Sequence, residues 1–104
     1  YYQLHVPFLI WMSDTYREAY PEHWQTVTGN KDKDVSSSCS FFPTMLELGG
    51  VETSYRNDAY SVVSPLYTMK PRVYLNDHNE PRPLDDLGMR KPDFQMLKAT
   101  GFKY

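Results

Sequence analysis

The sequence predicts an α/β piece with few strands and several short helices, incomplete on its own. Three observations carry this. His5-Val6-Pro7-Phe8-Leu9-Ile10-Trp11-Met12 is almost unbroken in its apolarity, as in a strand covered on both faces. Phe41, Phe42, Met45, Leu46 and Leu48 recur at helical spacing ahead of Gly49-Gly50, which ends a helix. And 104 residues amount to one small domain, with few elements left to cover both faces of such a strand.

Pro7 gives the apolar run no ladder donor at that position and places it at the strand's start or at an edge. Ser13-Asp14 is an N-cap signal for a short helix over 15–20, with Arg17 and Glu18 on its wet side. Pro21 suits the first turn of a second short helix through His23 and Trp24. Residues 28–38, rich in Gly, Asn, Lys, Asp and Ser, read as a solvated loop. The clearest helix should begin near Ser38 to Ser40, since only a first-turn position tolerates Pro43. Ser61-Val62-Val63-Ser64 suggests a short extended piece ending at Pro65. Arg72-Val73-Tyr74-Leu75-Asn76 reads as a short strand closed by the turn Asn76-Asp77-His78-Asn79. Residues 80–88 are expected to be irregular, with one turn around 84–87. Pro92 opens a last helix over 93–100, with Phe94, Leu97 and Met96 inward and Gly101 as its stop.

Composition narrows the functions. The charged residues, 11 basic against 13 acidic, leave a net charge of -2, and no basic stripe marks a nucleic-acid surface. One cysteine, Cys39, allows neither an internal disulfide nor a multi-thiol zinc site. The longest apolar run, Val6 to Met12, is too short to cross a bilayer. The chain starts at Tyr1 and runs almost at once into a buried-looking strand, which suggests a piece whose beginning lies elsewhere. Nine tyrosines suit positions that are apolar at the ring and wet at the hydroxyl.

Several residues invite a chemical reading. Asp77-His78 pairs a carboxylate with an imidazole, both good transition-metal ligands. A structural zinc needs four ligands, and no spacing brings Asp58 or Asp85 to them, so a polar turn bonded to its own backbone is the competing reading. His5 and His23 read as packed or surface histidines. Cys39 lies at a helix N-terminus, which stabilises a thiolate, but no general base accompanies it. Ser36-Ser37-Ser38 lacks a supporting His or Asp and suits capping. Gly49-Gly50 follows a helix, whereas a phosphate loop would open one.

Two segments carry a resemblance. Val6-Pro7-Phe8-Leu9-Ile10-Trp11-Met12-Ser13 resembles the "VP-apolar-apolar-W" strand of the alkaline phosphatase-like superfamily. Phe41-Phe42-Pro43-Thr44-Met45-Leu46-Glu47-Leu48-Gly49-Gly50-Val51 is similar to its "PT(L/M)L-x-L-x-G" helix. Their order and separation are similar to those in the C-terminal part of sulfatases and of bacterial membrane phosphoethanolamine transferases. Residues 74–80 and 83–88 resemble the tail of a transferase branch common in Bacteroidetes.

The resemblance implies that residues 1–104 are the C-terminal portion of such a catalytic domain, part of a three-layer α/β sandwich. The parent would sit in the inner membrane through N-terminal helices, with its catalytic domain in the periplasm. It would use zinc and a threonine nucleophile to move phosphoethanolamine from lipid to lipid A or another envelope glycan. A sulfatase would use formylglycine and calcium. The family's nucleophile lies far upstream of these segments, and its Asp-His-Gly-Glu metal motif precedes the "VP" strand. Asp77-His78 follows that strand, and Asn79 stands where the motif needs Gly. No catalytic, cofactor-binding or metal residue is therefore assigned here. The expected partners are the rest of the catalytic domain and, for the chain alone, a second copy. The rival readings are a standalone interaction module and a small metal-binding protein using Asp77 and His78.

Overall fold

The computed structural model describes residues 6–69 and 71–101. They divide into two compact units, one within Pro71–Tyr104 and one within His5–Lys70. The described residues hold four α-helices and a single two-stranded ladder.

In residues 6–69, helix α1 spans Asp14–Ala19, and its N-cap Ser13 accepts from the Tyr16 amide at 3.1 Å. Helix α2 spans Pro21–Asn30 with Pro21 at its start. It runs further than the sequence suggested and takes in Thr28, Gly29 and Asn30, the first part of the expected loop. The reason lies at its end: Asn30 is buried, and its amide donates to the Val62 carbonyl at 2.9 Å. A distant partner overrides the local preference of Gly and Asn for a loop.

Helix α3 spans Ser37–Leu48. Its start lies close to the predicted one, yet Pro43 sits beyond the first turn, where its ring removes a ladder donor. Ser36 is the N-cap residue through its carbonyl, which accepts from Cys39 and Ser40, while its hydroxyl faces Ser38 at 3.1 Å. The stop is as expected. Gly50 adopts φ +65°, and Val51 N–H reaches back to the Leu46 carbonyl at 2.8 Å, which only a residue free of a Cβ does without strain.

The core of this unit is Met12, Val62, Val63 and Tyr67, with Phe8, Ile10, Tyr16, Val27, Val35 and Leu48 packed against it. Two expectations need correcting here. Residues 6–12 join no ladder. The strand-like run has no partner strand among the described residues of its unit. Nor is Ser61–Ser64 an extended strand: it is a buried turn, with Ser64 N–H on the Ser61 carbonyl.

In residues 71–101, β1 (Tyr74–Leu75) pairs antiparallel with β2 (Pro81–Arg82), Tyr74 opposite Arg82. The expected strand is real but two residues long, and its partner falls where irregular chain was expected. The turn between them is built by Asn76, whose side-chain oxygen accepts from the His78 and Glu80 amides at 2.9 Å each. Asn79 takes φ 60°, a conformation asparagine tolerates better than most residues. A 3₁₀ turn follows at Leu84–Asp86. Helix α4 spans Lys91–Ala99, its first turn closed by the Asp93 carboxylate accepting from the Arg90 amide. Leu84 and Leu97 are buried and Phe94 is half-buried. Met96 was expected inward and is exposed.

Candidate functional site

The most distinctive surface lies on residues 6–69 and is apolar. Along 8–12, burial alternates. Phe8, Ile10 and Met12 pack on the core, while Leu9 and Trp11 stand 90% and 85% exposed. Period-two alternation is the mark of an extended backbone. One face of this segment is covered and the other is an open apolar row.

Helix α3 adds a second open face. Phe41, Phe42 and Met45 are about half exposed, contrary to the inward apolar face expected from their spacing. The residues turned inward are instead Ser40, Pro43, Thr44 and Glu47. The cause is the buried turn at 61–64, whose backbone lacks a sheet ladder and needs other partners. Thr44 Oγ1 accepts from the Val62 N–H at 3.1 Å, and Asn30 donates to the Val62 carbonyl. Beside Pro43 and Leu48, which do pack inward, α3 therefore turns Ser40, Thr44 and Glu47 toward the core and leaves Phe41, Phe42 and Met45 outward. Phe8, on the packed side of the segment, meets Phe41 edge to face at 6.4 Å between ring centroids.

Two polar ties fix α3 in this orientation. Arg56 is largely shielded and meets Glu47 at 3.7 Å, Glu52 at 3.0 Å and Asp58 at 2.6 Å. Its pKa is pushed up, first by the hydrogen bond to Asp58. The Tyr16 hydroxyl donates to the Leu48 carbonyl at 2.8 Å. Since that hydroxyl has one proton, it accepts from His23 Nδ1, 3.0 Å away, which fixes the imidazole tautomer with its proton on Nδ1. Burial, and after it the charges of Tyr20, Glu22 and Glu47, raise the Tyr16 pKa.

The residues singled out for chemistry do not converge. Asp77 and His78 lie 3.7 Å apart on an exposed turn. Asp58 is engaged by Arg56 in the other unit. Asp85 is exposed on the 3₁₀ turn. Cys39 is half-buried, its thiol 3.9 Å from Ser38 Oγ. His5 lies outside the described residues. Among the described residues no three His, Cys, Asp or Glu side chains come together as a metal site, and no helix is long and apolar enough to cross a membrane.

Sequence reasoning missed Asn30, Thr44, Glu47 and Arg56. The signal was present at Ser40, Thr44 and Glu47, a polar 4-then-3 spacing along the clearest helix. It passes for a wet face unless the polar demand of residues 61–64 is known. Compared with known proteins, the chain matches no family model, no curated protein and no solved structure.

Proposed function

We propose that this chain is the C-terminal structural portion of an alkaline phosphatase-like catalytic domain of the phosphoethanolamine transferase type. In this reading the parent moves a phospho group from lipid to an envelope glycan or lipid A on the periplasmic side of the inner membrane. The chain's part is to add a strand and covering helices to the sheet that carries the reacting groups. The observation that supports this best is the exposed row Leu9 and Trp11 on a segment whose other face, Phe8, Ile10 and Met12, is already packed. A strand with two apolar faces is made for the middle of a layered sandwich.

The donor set here does not suit zinc or calcium, because Asp77 and His78 form only an exposed pair. The metal and the nucleophile of the transferase, or of a sulfatase, would be held by residues outside this sequence. Turnover is therefore expected only from a longer protein. The test is the coding DNA upstream of Tyr1, read together with an assay of the purified chain. The reading expects an Asp-His-Gly-Glu motif shortly before Tyr1, a threonine nucleophile and membrane helices further upstream, and no metal-dependent hydrolysis of a nitrophenyl ester by the chain alone. A cysteine in a sulfatase signature would move the reading to sulfuric ester hydrolysis. A start codon within a few residues of Tyr1 would overturn it in favour of an interaction module, which the separate core of residues 6–69 could support.

A further inference from the structure

We draw no further inference here: the strongest candidate, the open apolar row of Leu9 and Trp11 on the extended segment at residues 8–12, is the surface on which the proposed function already rests, and nothing in the structure shows what covers it.

Discussion

Inside each unit a different kind of contact holds the chain. In residues 6–69 the decisive hydrogen bonds join side chains to distant backbone: Asn30 to Val62 and Tyr16 to Leu48 across 32 residues, Tyr67 to Asp34 across 33, Val62 to Thr44 across 18. In residues 71–101 Asn76 accepts from the Glu80 amide, Arg82 meets Asp86 and Asp93 accepts from the Arg90 amide, all between near neighbours. The first unit is closed by ties that need the whole unit in place. The second contains small motifs formed by near neighbours, with Leu84 and Leu97 buried among its described residues. Damage should therefore spread through the first unit and stay put in the second.

The largest effect should come from removing both side chains that serve Val62. Asn30→Ala with Thr44→Val leaves a buried N–H and a buried carbonyl unpaired, and about 3 kcal/mol of stability should vanish. Urea denaturation followed by tryptophan fluorescence would measure it, and a loss under about 1 kcal/mol would break the comparison. Next is Arg56→Met, which strands the buried Glu47 carboxylate and should lose about 2 kcal/mol; the bond to the exposed Glu52 contributes little of this.

Tyr16→Phe should lose about 1 kcal/mol at neutral pH with its hydroxyl bonds. It also gives a pH signature. The fold raises the Tyr16 pKa, so the neutral phenol is the form that the fold favours. That stabilisation is complete below the ordinary tyrosine value near ~10 and is lost as pH rises through the higher folded value. Thermal melts between neutral and alkaline pH should show this loss in the unaltered chain and a smaller one in Tyr16→Phe. Asn76→Ala should unravel the 76–80 turn for about 1 kcal/mol and leave the core of residues 6–69 intact, as amide exchange would show. The smallest change should follow His78→Ala, within about ±0.5 kcal/mol and with zinc content by elemental analysis unaltered. Stoichiometric zinc that disappears with this substitution would revive the metal-binding reading of Asp77 and His78.

The same contrast decides what the sequence disclosed. Local devices were legible: Ser13 as a cap, Pro21 and Pro92 in first turns, Gly50 and Gly101 as stops, and the Asn76 turn. Each acts through a few neighbouring residues, so its physics is written in the adjacent letters. The orientation of α3 was not legible. Its apolar spacing pointed Phe41 and Met45 inward, and the structure turns them out because a turn far along the chain needs Thr44 and Asn30. The run at residues 6–12 was read as a strand covered on both faces, and the structure leaves Leu9 and Trp11 exposed and gives the run no ladder; a strand is defined by its partner, and no partner can be read from the strand itself.

The turn at 61–64 has a consequence for how this protein would look to solvent exchange. Val62 belongs to no helix or strand, yet its N–H is buried and held by a side chain. Its amide proton should thus be among the slowest to exchange, released only when residues 6–69 open as a whole. A map of secondary structure would label this stretch a loop. A clock set by deuterium would label it the centre of the unit.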